Sequence, residues 1–334
     1  MIIRFRRALL LLAAIALAVL ACRHLSALGA DWSVAVHRLA GLGWGRLLLL
    51  GAVWMLGLWV HTLVLTASLP GLTHRRALTL NLSGSAVSNV LPLGGVAGTA
   101  MNLGMVRGWG HSGRDFARFT IVSKVSDVAS KLLLPFVATC ALLALNRLQP
   151  GPRAGVWLGL SAAAAVVGML LVAALFGRAR PLLRVVALAE RLTPRKRGPA
   201  APRGWTAHAE AVLAGTDELV RHRWAALTGG MSGYLLFQGL LLWLSLDAVG
   251  VHTAPPVVFG GLVVERALTL VALTPGGAGL VEAGTVAALA VLGVDPTGAL
   301  AGVLLYRAFI FLAEIPVGGV ATALWAIGRR VRPA

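Results

Sequence analysis

Along the chain, long apolar runs alternate with short polar stretches. Several runs reach about 20 residues, the length a helix needs to cross a hydrocarbon core of about 30 Å. Full spans are predicted at 8–28, 46–68, 117–145, 155–176, 224–247 and 298–328. Two further apolar segments are interrupted. The first, 77–106, carries Gly84, Pro92, Gly94, Gly95, Gly98 and Gly104. The second, 255–292, carries Pro255, Pro256, Gly260, Gly261, Pro275, Gly276, Gly277, Gly279 and Gly284. A lipid-facing helix would not hold so many breakers, because backbone groups freed from the helical ladder find no water in the bilayer. Helical hairpins that enter and leave by one face, packed inside protein, fit better. The pattern predicts an all-α integral membrane protein of about six transmembrane helices plus two re-entrant helical hairpins.

Composition agrees. The 334 residues are 58% hydrophobic and 13% charged, too little charge to cover a water-soluble globule of this size. A net charge of +18 would point to nucleic acid in a soluble protein. Here the cations sit between apolar runs, where they orient spans and meet anionic headgroups, so no nucleic-acid partner is expected. Cys22 and Cys140 lie inside apolar runs, which argues against a disulfide framework or a metal cluster. Arg4, Arg6 and Arg7 ahead of the run ending at Cys22 resemble a signal peptide. The length of that run and the spans behind it favour an uncleaved first helix.

The cations also give an orientation. The N-terminus, His74-Arg75-Arg76, the stretch Arg107 to Arg118, and Arg329, Arg330 and Arg332 are basic, and residues 177–223 hold ten Arg and Lys against four acids. Residues 146–154 carry only Arg147 and Arg153, and 248–256 carry none. The positive-inside rule then places both termini in the cytoplasm, with Arg38 and Arg46 in the 29–45 loop as a mild dissent. Within the basic loop, 181–192 has the alternation of a surface-lying segment, held by Arg195-Lys196-Arg197.

The interrupted segments begin an ordered series that occurs twice. Gly94 is followed 16 residues later by Gly110 and 14 later by Lys124; Gly276 is followed 17 later by Gly293 and 14 later by Arg307. Pro92 and Pro275 precede the glycine pairs, Lys131 and Glu314 follow seven residues after the basic residues, and Pro135 and Pro316 close the series. The predicted single membrane domain thus comprises one repeat unit at about 46–145, the basic loop at about 177–223 and a second unit at about 224–328. The intervening crossings turn the second unit over, an inverted-topology repeat of the kind used by secondary transporters.

Charges inside the spans supply candidate chemistry. Lys124, Asp127 and Lys131 share one helix face, and two of the chain's three lysines are among them. Each costs about 2.5–3.5 kcal/mol at mid-bilayer on insertion scales, so the stripe must face a polar interior or other charges. A Lys124–Asp127 ion pair is one reading; a leftover positive charge suits an anionic guest. The second unit offers Glu265-Arg266, Glu282, Arg307 and Glu314, with Arg307 and Glu314 on one face by spacing. Glu282 is a partner for Arg307, a proton carrier, or a helix-packing hydrogen-bond partner for backbone freed by the glycines. Gly94-Gly95 and Gly276-Gly277 permit helix starts whose N–H groups can hold an anion, or simply close helix packing. No P-loop, nucleophile elbow or zinc motif is present, so neither enzymatic chemistry nor a cofactor is expected.

Residues 273–319, with Pro275-Gly276-Gly277-x-Gly279, Glu282, Gly293 and Arg307, resemble the membrane domain of the lysylphosphatidylglycerol synthase family. The Asn89-x-x-Pro92 hairpin and the polar span after it resemble its first half. The resemblance implies a stand-alone, flippase-like membrane domain without aminoacyltransferase chemistry, and it marks Glu282 and Arg307 as functional positions. The leading expectation is translocation of an anionic phospholipid or lipid-linked intermediate across a bacterial cytoplasmic membrane. Its alternatives are a non-catalytic subunit presenting lipid to a partner transferase, and a scaffold with purely structural charges.

Overall fold

The computed structural model describes residues 23, 25–91, 94–144, 152–175, 216–271 and 275–331. Most of the predicted span 8–28, Pro92 and the surface-lying stretch at 181–192 lie outside the described residues.

Asp31 caps α1 (Trp32–Ala40), its carboxylate accepting hydrogen bonds from the Ser33 and Val34 amides. Three helices follow: α2 (Trp44–Ser68), α3 (His74–Val90) and α4 (Gly94–Gly108). Next come α5 (Gly113–Ala144), α6 (Pro152–Leu175) and α7 (Thr216–Ala248). The chain continues through α8 (Pro255–Leu268), α9 (Leu280–Val291) and α10 (Pro296–Arg307), the last capped by Asp295. A π-helical turn, Ala308–Ala313, joins α10 to α11 (Glu314–Val331). Among the described residues, five helical stretches are long and apolar enough to cross a membrane: α2, α5, most of α6, α7, and the run Pro296–Gly328. Each coincides with a predicted span. The protein is an all-α, multi-pass membrane protein.

The two interrupted segments are pairs of short antiparallel helices, and their glycines lie at the contacts. A Cβ on Gly98 of α4 would lie 2.6 Å from the Gly84 carbonyl oxygen of α3. A Cβ on Gly84 would lie 2.7 Å from the Asn102 amide nitrogen. In the second pair, Gly260 and Gly261 of α8 receive Leu292 and Leu289 from the end of α9 and just beyond it, at 2.6 and 2.8 Å from where their Cβ atoms would be. Only small residues permit helices to approach this closely. Gly110 and Gly293 both end the outgoing helix in a left-handed conformation, φ +90° and +91°. In each turn the glycine N–H reaches the carbonyl three residues back and the next N–H the carbonyl five residues before it.

The packing crosses between the halves. α2 lies along α7, α3 lies on α11, and α8 lies on α5. Gly230 and Gly233 of α7 seat against Leu63, Val64 and Val60 of α2, while Gly318 of α11 abuts the backbone of Leu82 in α3. Leu50, Leu58, Leu241, Leu246, Leu300 and Tyr306 form the main core between these helices. Leu48, Leu56, Val166, Leu170 and Leu324 stand exposed on outer faces, which in a bilayer meet hydrocarbon rather than water.

Candidate functional site

Where the crossed helices leave room, a cavity of about 350 Å³ opens, walled by α2, α3, α4, α5, α7, the end of α8, the Gly276 turn and the α10–α11 junction. It collects Lys124, Asp127, Lys131, Arg266, Arg307 and Glu314, drawn from both halves of the chain. Asn81, Ser85, Asn89, Asn102, Gln238 and His61 are among the uncharged polar residues of its lining.

Within α5, Asp127 is bound by Lys131, Nζ to Oδ2 2.9 Å, and not by Lys124. The direction of helical side chains explains why Lys131, and not Lys124, is the partner. Side chains lean toward the N-terminus, so Lys131 leans back over Asp127 while Lys124 leans away from it. An acid four residues ahead of a lysine is the favourable order. Lys124 makes no ion pair among the described residues and is open to the cavity.

In the second half Arg307 is held on several sides. Its Nε donates to Glu282 Oε1 at 2.6 Å, its Nη2 donates to the Gly276 carbonyl at 2.7 Å, and its guanidinium lies 5.0 Å from the centre of the Phe311 ring. Glu265 adds a carboxylate oxygen 3.9 Å from Nη1 and also binds Arg266 through two guanidinium nitrogens. The other oxygen of Glu282 accepts from the Gly279 N–H at 2.6 Å, the reach-back of an N-terminal helix cap. Glu282 is therefore both the partner of Arg307 and the cap of α9. At Gly279 the amide is occupied by the protein's own carboxylate, so that N–H is not waiting for an outside anion.

The glycine run has a conformational reason. Gly276, Gly277 and Gly279 have φ of +59°, +74° and +87°, where a side chain is strained, and a Cβ on Gly276 would run into the Phe311 ring. Pro275 begins the 3₁₀ turn of this run. Across the interface, Gly94 closes tightly on the Ser88 backbone and its carbonyl accepts from Ser88 Oγ at 3.1 Å. Gly95 faces open space and has no packing duty.

Arg307 and Glu314 do not pair. The π turn between them changes the register that a seven-residue spacing assumes, though both still line the cavity. Glu314 instead lies across from α3, where Asn89 Nδ2 approaches its Oε2 at 3.5 Å and donates to the Phe311 carbonyl at 3.3 Å.

Pairing Asp127 with Lys131, Glu265 with Arg266 and Glu282 with Arg307 leaves Lys124 and Glu314, of the charges that line the cavity, with no ion-pair partner among the described residues. Three polar atoms at the cavity, His61 Nδ1, Asn102 Oδ1 and Gln238 Oε1, are buried without a hydrogen-bond partner. Sequence reasoning passed over Asn102 and Gln238, and saw in His61 only a scattered residue without a catalytic partner. A signal was present in the four-residue spacing of Asn81, Ser85 and Asn89, which puts them on one face of α3.

No curated protein matches the chain. A family model described as the lysylphosphatidylglycerol synthase TM region matches residues 8–318, which takes in every residue lining the cavity. The chain belongs to that family, and it is a membrane protein of lipid metabolism or transport.

Proposed function

We propose that the protein is a flippase-like translocase, which moves the headgroup of an anionic phospholipid or lipid-linked intermediate through the cavity between its two halves. The observation that carries this reading is the cavity itself, which is polar and charged, buried among apolar spans and built jointly by both halves. A charged pocket costs several kcal/mol to maintain in hydrocarbon surroundings, and intramembrane ionisable groups mark substrate pathways. Lys124 supplies the uncommitted cation for a phosphate, and the amides of Asn81, Asn89, Asn102 and Gln238 supply hydrogen-bonding groups for the rest of a headgroup.

The reciprocal packing supports an inverted repeat. Exchanging the first unit (α2 to α5) for the second (α7 to α11) turns the α3–α11 contact into the α8–α5 contact and leaves α2–α7 in place. In that arrangement α3–α4 and α8–α9 are re-entrant hairpins meeting near the midplane, and rocking one unit against the other opens the site to either leaflet. The bundle end carrying His74, Arg75, Arg76, Arg107, Arg114 and Arg118 then faces the cytoplasm of a bacterial cell, with both termini.

A leaflet-protection assay in proteoliposomes tests the reading. Fluorescent phosphatidylglycerol should become accessible to an impermeant quencher faster with the protein than in empty vesicles. Equal rates would refute translocation.

A further inference from the structure

The cavity is bounded on one side by the seam between α5 and α7, and a second feature lies against that seam. An apolar groove of about 260 Å³ runs between α5, α6 and α7, lined by Leu133 and Val137, by Val172, and by Leu227, Met231 and Leu235. Groove and cavity use the same turns of α5. Ser126 and Ser130 line the groove while their chain neighbours Asp127 and Lys131 line the cavity. Neighbouring helical residues point about 100° apart, so the two faces adjoin. On α7 the same holds for Met231 and Leu235 in the groove and Tyr234 and Gln238 in the cavity. The charged chamber and the apolar groove thus adjoin along α5 and α7.

The seam is also slighter than the one α7 makes with α2. α7 lies along α2 through small-residue contacts at Gly57, Gly230 and Gly233, whereas it meets α5 only locally. The groove offers no buried polar group in need of a partner, since the Ser130 hydroxyl donates to the Asp127 carbonyl at 2.7 Å. Its outer rim carries exposed Trp224 and adjoins the lipid-facing surface of α6.

We propose that the α5–α7 seam is the lateral portal of the cavity, and that a membrane lipid binds astride it with its headgroup in the cavity and one acyl chain in the groove. The inference rests on the cavity receiving a lipid headgroup. The occupant is chosen by chemistry. The groove's mostly apolar lining suits hydrocarbon, the charged chamber behind it suits a polar group, and a two-part amphiphile satisfies both at once. An apolar helix of a partner protein would fill the groove but leave Lys124 without a ligand.

Photo-crosslinking of the full chain in vesicles of phosphatidylglycerol and phosphatidylethanolamine tests the portal. p-Benzoylphenylalanine is placed at Ser232 in the groove and, as a control for bulk lipid, at exposed Val166 on α6. The portal requires phospholipid adducts at Ser232 several-fold above those at Val166, falling to the control level in Lys124→Gln. Equal yields at the two sites, a Ser232 yield indifferent to Lys124→Gln, or adducts with protein instead of lipid would overturn it. Filling the groove with Thr228→Trp and Ser232→Trp should slow translocation several-fold. Unchanged translocation would overturn the portal and leave the transport reading standing. Lysine-dependent adducts without any translocation would support the portal and remove the transport reading instead.

Discussion

Lys124 and Arg307 occupy the same place in their halves, 14 residues beyond a glycine turn, yet the protein uses them differently. Arg307 is 7% exposed at its side chain and committed to Glu282, Glu265 and the Gly276 carbonyl. Lys124 has no carboxylate within ion-pair distance among the described residues and lines the cavity. The second half spends its charge on holding an irregular glycine turn in place. The first half pairs one lysine with Asp127 and leaves the other open. Two cations at the same distance beyond a glycine turn can therefore divide the labour, one anchoring the chamber and one facing it.

Four substitutions sharpen or break this comparison, from the largest effect on stability to the smallest. Arg307→Ala strands Glu282 and deprives Glu265 of a second cation, and removal of one member of a buried pair costs about 3–5 kcal/mol. It should give the largest fall in melting temperature in nanodiscs. Lys131→Ala leaves Asp127 with less compensation in a more open setting, its carboxylate 31% exposed, and should cost about 1–3 kcal/mol. Pairing it with Asp127→Asn should recover much of that loss, because nothing charged is then left behind. Gly276→Ala places a side chain at φ +59° and against Phe311, for about 1–3 kcal/mol by thermal unfolding. Lys124→Gln should shift stability by no more than about 0.5 kcal/mol, as for substitutions that break no partner contact. Should Lys124→Gln destabilise as much as Arg307→Ala, the two halves would be equivalent and the division would fail.

Much of the fold was legible because span length and breaker clusters are strong signals in a bilayer. The five described spans and the two short helix pairs follow from apolar run length and from Gly and Pro placement. The charges proved partly legible. Glu282 with Arg307 was one of several readings of Glu282, and geometry selects it. The Asp127 partner stayed open between readings because spacing alone treats i+4 and i−3 neighbours alike, while side-chain direction does not. The Arg307–Glu314 relation was obscured by a π turn, which has no reliable sequence mark. The amide lining escaped because Asn and Gln carry no charge to flag them, although His61 and Gln238 lie on α2 and α7, the helices that pack across the two halves.

The central claim is that a lipid headgroup passes through this chamber against Lys124. The direct measurement is leaflet exchange of fluorescent phosphatidylglycerol in proteoliposomes, comparing wild type with Lys124→Gln after both are shown to melt at the same temperature. The account predicts exchange above the empty-vesicle rate for wild type and at the empty-vesicle rate for Lys124→Gln. Wild-type exchange by the Lys124→Gln protein would contradict it.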